Sequence, residues 1–246
     1  MQWVWVVPMI VCAAFAQSSP PALAEPTSPG QQGWQAIEPG LEHSQFKALS
    51  PSIAGDSVVD VVRIEPAHFK FDLLSARAIN LPQSLTIDAW TKQQQLIAAV
   101  NAGMFEPNGQ TTGYSRSGSV TLNPNWKSRY GALLALDPDD PKLPAATILD
   151  PECDDVKALE THYRIVLQSL RMIDCKGVNR WQKSARIWST AALAIDDQGR
   201  VLLIHARSPW DVHDFIEILL SCQNKWRELN GLRIFLGSFL NFKSLR

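Results

Sequence analysis

The sequence predicts an α/β (α+β) fold in which a mixed, largely antiparallel sheet packs against helices within a single domain. Three observations lead to this prediction: several short apolar segments of strand length, a hairpin signal over residues 188–206, and an amphipathic helix pattern directly after it. A sheet with an apolar face has to be covered, and the helix offers an apolar stripe that can cover it.

Seven segments have the pattern of strands. Ser57–Ile64 and Phe69–Ser75 flank a Glu-Pro-Ala-His turn, and the second segment alternates apolar with polar residues. Leu96–Val100 is entirely apolar, which predicts a short buried strand. The other four predicted strands are Ala132–Leu136, Arg164–Leu170, Trp188–Ile195 and Arg200–Ala206.

The last two strands and the helix after them have the clearest local signals. An Asp-Asp-Gln-Gly turn joins the strands, and its glycine can take a positive φ, so the pair predicts an antiparallel hairpin. Ser208 is expected to be the N-cap of the helix, with Pro209 at its first position and Asp211 in its first turn. Five apolar residues between 212 and 220 then follow the spacing of one helix face.

The amino-terminal region predicts an export signal followed by a linker. Trp3–Ala16 is an apolar run shorter than the roughly 20 residues that span a bilayer, and Ala22-Leu23-Ala24 fits an Ala-x-Ala cleavage site. We therefore expect residues 1–24 to be a signal peptide, which predicts a periplasmic or secreted protein with no stable membrane anchor. Residues 25–45 are rich in Pro, Ser, Gln and Gly and predict a flexible linker, so the domain spans residues 46–246.

The overall charge argues against one class of binding partner. The 246 residues contain 23 Lys and Arg against 24 Asp and Glu, a formal net charge of −1. Nucleic acids are bound through an excess of basic residues, so the balance argues against a nucleic-acid partner. With 46% hydrophobic residues the chain can bury a core, which excludes disorder along its whole length.

The cysteines predict one disulfide. Cleavage of the signal would remove Cys12 and leave Cys153, Cys175 and Cys222 in an oxidising compartment. Cys153 and Cys175 both lie in polar, turn-like sequence and are predicted to pair, whereas Cys222 ends the amphipathic helix and can be buried as a small apolar residue. Their spacing fits no zinc pattern, so no structural metal is expected.

Two candidate site segments follow predicted strands. The loop after Leu96–Val100 presents Asn101, Gly103 and Glu106, although these residue types also suit an ordinary turn. Arg171 and Asp174 follow the strand Arg164–Leu170, where a surface Arg and a turn Asp are the alternative interpretation.

A third candidate is the exit of the hairpin. Arg207 stands where it could bind a phosphate, or else satisfy carbonyl groups or an acidic partner. His205 alone is more often a packed strand residue than a catalyst. The sequence contains no Gly-x-Ser-x-Gly, Walker A, His-Glu-x-x-His or dinucleotide-binding glycine pattern, so those enzyme classes lose their support.

A family resemblance joins these segments. The segment LIAAVNAGMFEPNGQTTGYSRSG resembles the core motif of the phosphodiester glycosidases, which include alpha-N-acetylglucosaminyl phosphodiesterases and bacterial exopolysaccharide-related proteins. CDDVKALETHYRIVLQSLRMIDCKG and WSTAALAIDDQGRVLLIHARSPWDVHDFIEILL agree with the family in the same order, so the similarity extends from about Val58 to Leu220. The resemblance implies the family's single α/β domain and a hydrolase that cleaves a sugar 1-phosphodiester, carried on a small molecule or a polymer such as an exopolysaccharide or envelope glycan.

Roles follow from the resemblance together with the chemistry of such a bond. A phosphodiester carries one negative charge, so a site needs a cation, a carboxyl group and donors for sugar hydroxyls. Arg207 is expected to bind phosphate, and Asp174 or Glu106 to act as acid or nucleophile. Asn101 completes the catalytic candidates, and the segments that carry Asn101, Asp174 and Arg207 are expected to converge on one pocket. The substrate-binding candidates are Gly103, Phe105, Tyr114, Arg171, Trp188, Ser189 and His205, with Tyr114 or Trp188 stacking on the sugar.

Two departures from the family keep a second function open. Thr190 and Ala191 stand where the family usually has an Arg-Thr pair, and the chain after Arg233 reads IFLGSFL instead of an acidic Gly-Gly loop. An altered or truncated C-terminus is therefore expected, with the apolar tail packing as a substitute strand. The alternative function is a non-catalytic periplasmic carbohydrate-binding protein.

No cofactor is expected from the resemblance. Metal-assisted hydrolysis is a third alternative, in which Asn101, Glu106 and Asp174 share a hard divalent cation such as calcium.

Overall fold

The computed structural model describes residues 33–75, 86–104, 106, 111–223 and 233–236, all within the compact unit Gln32–Arg246. Twelve strands and three helices lie in these ranges. The strands are β1 (Gln35–Glu38), β2 (Leu41–Lys47), β3 (Val58–Ile64), β4 (Ser115–Ser117), β5 (Val120–Asn123), β6 (Ala132–Pro138), β7 (Ala146–Leu149), β8 (Tyr163–Ser169), β9 (Arg171–Ile173), β10 (Trp188–Ile195), β11 (Val201–Trp210) and β12 (Arg233–Leu236). The helices are α1 (Ile87–Gln94), α2 (Val156–Leu159) and α3 (Val212–Gln223), with a 3-10 turn at Glu160–His162.

The strands form two antiparallel sheets, which confirms the predicted α+β class. One sheet has seven strands in the order β1-β2-β3-β11-β10-β12-β9, and the other has five in the order β5-β4-β8-β6-β7. The predicted hairpin is confirmed: β10 pairs with β11 from Ile195 opposite Val201 to Thr190 opposite Ala206. Asp196 closes its turn by accepting hydrogen bonds from the backbone N–H groups of Gln198 and Arg200.

The sheets and helices form stacked layers. Helix α3 covers one face of the seven-stranded sheet, where Phe215 and Ile216 are completely buried among the side chains of β3, β10 and β11. The opposite face of that sheet packs against the five-stranded sheet through a second apolar cluster that includes Leu193 and Leu167. Val156 of α2 belongs to a third cluster on the far side of the five-stranded sheet. Among the described residues, no helix is long and apolar enough to cross a membrane.

Two predicted strands are wrong. Phe69–Ser75 and Leu96–Val100 have no strand structure, although the Glu-Pro-Ala-His turn before the first is present. The apolar residues of both segments pack against the cluster between the sheets. Their apolar patterns therefore reflect burial of irregular segments from one side, not pairing in a sheet.

The predicted linker boundary is also wrong. Strands β1 and β2 lie mostly within residues 25–45, and β2 pairs with β3 from Leu41 opposite Ile64 to Lys47 opposite Val58. The reason is the alternation of β2, which buries Leu41 and Phe46 on opposite faces of the sheet. The signal peptide predicted for residues 1–24 lies outside the described residues and stays a prediction.

Helix α3 is present but begins later than predicted. Ser208, Pro209 and Trp210 still belong to β11, and Asp211 is the residue that caps the helix. Its carboxylate accepts the backbone N–H of His213 at 2.9 Å, and its carbonyl accepts the N–H of Phe215 at 2.9 Å. The hydroxyl of Ser208 is used elsewhere, because it accepts the N–H of Ser57.

The apolar tail packs as the expected strand. β12 lies between β10 and β9 in the seven-stranded sheet, with Ile234 opposite Ala194 and Ile173. Ile234 is completely buried, so this part of the tail contributes to the core under α3.

Candidate functional site

A cavity of about 480 Å³ lies between the two sheets. Leu193 and Leu203 of the seven-stranded sheet line one wall, and Leu134 and Leu167 of the five-stranded sheet line another. Residues 68–75 and 95–103, which contain the two segments wrongly predicted as strands, also line the cavity. Among the described residues, these two segments form an irregular side of the cavity.

The loop at Asn101 brings a polar group to this cavity. Asn101 lines the cavity, and its side-chain nitrogen Nδ2 is buried without a hydrogen-bond partner among the described residues. Gly103, also in the lining, has a φ of +99°, and a Cβ atom there would lie 3.3 Å from the Leu167 side chain. Glycine is therefore required at this position for both backbone and packing reasons.

The face of the seven-stranded sheet that borders the cavity becomes polar further along the strands. We call His43, Gln45, Asp60, His205 and Arg207 the polar floor. Register places Gln45 of β2 beside Asp60 of β3, and Asp60 beside His205 of β11. Because strand side chains alternate, His205 and Arg207 share a face with the cavity residue Leu203. His205 lies about 7 Å along the strand from Leu203, and Arg207 about 7 Å further.

Asp60 is the acceptor at the centre of the polar floor. One of its oxygens, Oδ1, lies 3.2 Å from His43 Nε2 and accepts a hydrogen bond from Gln45 Nε2 at 2.6 Å. The side chains of His43 and Asp60 are 31% and 40% exposed, so solvent and small ligands can reach them. A carboxylate flanked by imidazole groups on an accessible sheet face can take part in proton transfer.

Charges around His205 oppose one another. Burial lowers the pKa of the His205 imidazole below its ordinary value, the Asp60 carboxylate raises it, and the Arg207 guanidinium lowers it. The net pKa is lowered, so His205 is neutral at pH 7 and can accept a proton. Arg207 is exposed at the end of the floor, where its charge also helps the N–H of Val58 to lower the pKa of Asp56.

Asp174 lies elsewhere, in a closed network of charges. Its buried carboxylate accepts the backbone N–H groups of Lys176 and Val178 at 2.9 and 2.8 Å and the Arg180 guanidinium at 2.5 Å. Burial alone raises the pKa of Asp174, but Val178 and Arg180 lower it by more, so the net pKa is below its ordinary value. Its carboxylate is therefore an ionised structural anchor.

The network continues to the disulfide. Arg171 bridges Asp150 and Glu152 at 2.6 Å each, and Arg180 reaches Glu152 at 3.3 Å. The Cys153–Cys175 disulfide is confirmed, and the N–H of Cys175 donates to Asp150 at 3.0 Å. We call Asp150, Glu152, Arg171, Asp174 and Arg180 the anchor network.

The expected convergence of Asn101, Asp174 and Arg207 is wrong. The pairing of β9, β12 and β10 puts Asp174 level with Ile195, at the opposite end of the seven-stranded sheet from Arg207. The two residues are about six residues apart along the strand direction, or roughly 20 Å, and three strands apart across the sheet. The Asp174 carboxylate is already used by Lys176, Val178 and Arg180, and Arg171 is occupied in the anchor network rather than in the cavity.

The aromatic candidates separate as well. Tyr114 packs with the third cluster on the far face of the five-stranded sheet, 5.8 Å from the ring of Trp126, so stacking of Tyr114 on a sugar in the cavity is wrong. Trp188 is 44% exposed and begins β10, opposite Trp210. Ser189 lies between Trp188, which is opposite Trp210, and Thr190, which is opposite Ala206. It is therefore level with the part of β11 that begins at Arg207. Glu106 is exposed, and Phe105 lies outside the described residues.

Sequence reasoning missed Asp60, His43 and Gln45. The signal for Asp60 was present, because it interrupts the apolar run VVDVVRI of a strand that is central to the sheet. His43 and Gln45 were hidden by the wrong assignment of β2 to a linker. Thr190 and Ala191, which replace the family's Arg-Thr pair, are buried, and Ala191 lies opposite His205.

One group of potential metal ligands occurs among the described residues. Oxygen and nitrogen atoms of Asp211, His213 and Asp214 lie within 4.8 Å of one another. The Asp211 carboxylate is already used, because it accepts both the N–H and the hydroxyl of Ser184 in addition to capping α3. Lys183 pairs with Asp214 at 3.1 Å, which neutralises part of the charge that a cation would need.

Two antiparallel sheets packed against helices define an α+β domain with a cavity between the sheets. A family model of the phosphodiester glycosidases matches residues 94–224, more than half of the chain, and the protein belongs to this family. The match includes the Asn101 loop, the β10–β11 hairpin and α3.

Solved structures share the fold. The zebrafish N-acetylglucosamine-1-phosphodiester alpha-N-acetylglucosaminidase catalytic domain, auto-inhibited by its pro-peptide, is 14% identical with a TM-score of 0.54 over 85% of this chain and 75% of that one. A hypothetical protein from Synechocystis is 12% identical with a TM-score of 0.56, over 87% of this chain and 58% of that one. No curated protein matches the sequence.

Proposed function

We propose that the protein hydrolyses the glycosidic bond of a sugar 1-phosphodiester in the periplasm or outside the cell. The observation that carries the proposal is membership of the phosphodiester glycosidase family over the segment that contains Asn101, His205 and Arg207. The apolar run Trp3–Ala16 and the disulfide support an oxidising location. Exopolysaccharide or envelope glycan is the proposed source of the substrate.

The chemistry divides between three parts of the site. The Arg207 guanidinium pairs with the single negative charge of the phosphodiester. Neutral His205 takes a proton from the attacking water, and Asp60 stabilises the imidazolium that results. The Nδ2 group of Asn101, buried without a described partner, donates to an oxygen of the bound diester.

The reaction balances without a further reactant. A bond forms between the water oxygen and the anomeric carbon, and the bond from that carbon to the phosphate oxygen breaks. The proton from water passes to His205 and then to the departing phosphate monoester. A phosphate is a stable anion, so its departure needs charge stabilisation by Arg207 more than protonation.

Turnover of N-acetylglucosamine 1-(methyl phosphate), followed as release of the free sugar, tests the proposal. Loss of Arg207 as Arg207→Ala is expected to lower kcat/KM by about 100-fold, since a charge-assisted contact to the transition state is removed. Arg207→Lys keeps the charge and is expected to retain more activity. Lys142→Ala, which removes an exposed charge from the turn between β6 and β7, is the matched control and should have wild-type activity.

The carbohydrate-binding alternative is favoured by the replacement of the family's Arg-Thr pair at Thr190 and Ala191. It predicts saccharide binding without turnover by any variant. Replacing the residues after Leu236, which leaves the core strand β12 in place, with a Gly-Gly loop of the family type separates the two functions. Turnover that appears only in that variant would mark the present chain as an impaired enzyme, whereas unchanged binding without turnover would favour the binding protein.

A further inference from the structure

The cavity differs in chemistry from the polar floor beside it. Its lining is dominated by apolar side chains, with Leu41, Ile64 and Leu134 from the two sheets and Phe69 and Phe71 from the irregular segment after β3. Charged lining residues come mainly from residues 68–75, and one of them, Asp72, pairs with Arg164 at 3.7 Å. A sugar or a phosphate alone would leave these apolar walls without a complementary partner.

The cavity is too large to be a packing defect. Protein interiors are packed at crystal density, and voids much larger than a water molecule are few. A volume of about 480 Å³ falls within the range of roughly 300–1,000 Å³ of ligand pockets. Several apolar residues that face it, including Leu203, Ala98 and Val100, are only partly buried. They are arranged to complete their burial against an apolar ligand.

The strand β11 connects the two chemistries in sequence. Leu203 lines the cavity, His205 lies about 7 Å further along the same face, and Arg207 follows after the same spacing. A ligand bound along this face meets apolar surface first, then a proton acceptor, then a cation. This order matches an amphipathic molecule whose phosphate lies near its apolar part.

We infer that the cavity binds an apolar alkyl or isoprenoid chain carried on the phosphate of the substrate. This inference rests on the proposed function and specifies its substrate class as a sugar 1-phosphodiester of a lipid alcohol. The phosphate lies over His205 and Arg207, and the chain enters the space between the sheets. Asn101 Nδ2, which lines the cavity and has no partner among the described residues, donates to an oxygen at the junction of head group and chain.

A series of N-acetylglucosamine 1-phosphodiesters with methyl, hexyl and decyl alcohols tests the chain site. KM is expected to fall by about tenfold or more from methyl to decyl, because each buried methylene adds favourable transfer free energy. Decyl phosphate, the lipid part of the product, should bind the protein in calorimetry, whereas methyl phosphate should bind far more weakly. Equal KM values across the series, with turnover intact, would overturn the inference and leave the proposed function standing.

A variant that fills the cavity sharpens the test. Ala98→Trp is expected to abolish the difference in KM between the decyl and methyl substrates. Ala158→Trp places the same side chain at an exposed position of α2 and should leave the advantage intact. If circular dichroism shows that Ala98→Trp fails to fold, Val100→Phe fills the same space from the same segment.

The binding measurement with decyl phosphate distinguishes failure of the proposed enzymatic function from failure of the proposed site for the apolar chain. Binding of decyl phosphate that Ala98→Trp abolishes, without turnover of any diester, would refute the enzyme and retain the lipid-phosphate site. Absence of decyl phosphate binding, whatever the turnover, would overturn the inference.

Discussion

The anchor network and the polar floor contain the same kinds of side chain but use them in opposite ways. In the anchor network, Asp174 is buried and each of its carboxylate oxygens accepts a hydrogen bond from the protein. In the polar floor, Asp60 is 40% exposed, and its hydrogen bonds from His43 and Gln45 both go to Oδ1. The first arrangement fixes a loop beside a disulfide, and the second leaves acceptor capacity for a substrate.

This difference shows what separates a structural carboxylate from a functional candidate. Both aspartates follow or interrupt apolar strands, so residue type and local pattern do not distinguish them. The two aspartates differ in how many carboxylate lone pairs already accept hydrogen bonds from the protein and in how much of the side chain solvent can reach. A catalytic group has to exchange partners during the reaction, which Asp174 can do only by breaking its loop.

The largest effect is expected from removing Asp174. Asp174→Ala removes the carboxylate that accepts a charge-assisted hydrogen bond from Arg180 and hydrogen bonds from two backbone N–H groups, so the free energy of unfolding should fall by about 3 kcal/mol in urea titrations. Asp174→Asn keeps an acceptor oxygen and should lose about half as much. Turnover per folded molecule should not change in either variant. A folded Asp174→Asn protein without activity would make Asp174 catalytic, as its position in the sequence suggested.

Much of the fold followed from local signals. The bounds of β10 were predicted to the residue, because an apolar run ended in a turn with Asp and Gly. The disulfide was predicted from polar flanking sequence. The start of α3 was misplaced because Ser208 and Pro209 are suitable for a helix start, yet both lie in the extended strand β11, where the Ser208 hydroxyl accepts the N–H of Ser57.

The site was less predictable because it depends on register. Nothing local shows that Gln45, Asp60 and His205 form one row, since they come from three strands whose pairing is set by the whole sheet. The same pairing separates Asp174 from Arg207. Asn101 and Arg207 were proposed because strand ends commonly carry functional groups, although Leu96–Val100 is not a strand and Arg207 lies within β11.

Acidification is expected to affect the two regions in different pH windows. The pKa values of Asp150 and Asp174 are lowered in the fold, so their stabilisation is present above the ordinary aspartate pKa of about 3.9 and is lost as the pH falls below it. The pKa of His205 is also lowered, so the unfolded state binds a proton first and stability declines as the pH falls below about 6.5. The loss of stability that begins near pH 6.5 should be smaller than the loss at acid pH.

Urea titrations at pH values from 3 to 8, spaced by about half a pH unit, measure the free energy of unfolding across both windows. His205→Gln should remove the step that begins near pH 6.5 and leave the acid step, whereas Asp174→Asn should reduce the acid step alone. A single acid step that His205→Gln leaves unchanged would show that the imidazole is not desolvated on the sheet.

The smallest expected effect is a pair of opposite pKa shifts at His205, measured by NMR titration of its ring protons. Asp60→Asn removes the carboxylate that raises the pKa, so the pKa of His205 should fall further. Arg207→Ala removes the cation that lowers the pKa, so it should rise. Burial is unchanged in both variants, which leaves charge as the cause of any difference. Shifts of the same sign, or none in either variant, would mean that Asp60 and Arg207 do not act on His205 through their charges, and these three side chains would then have no common role in catalysis.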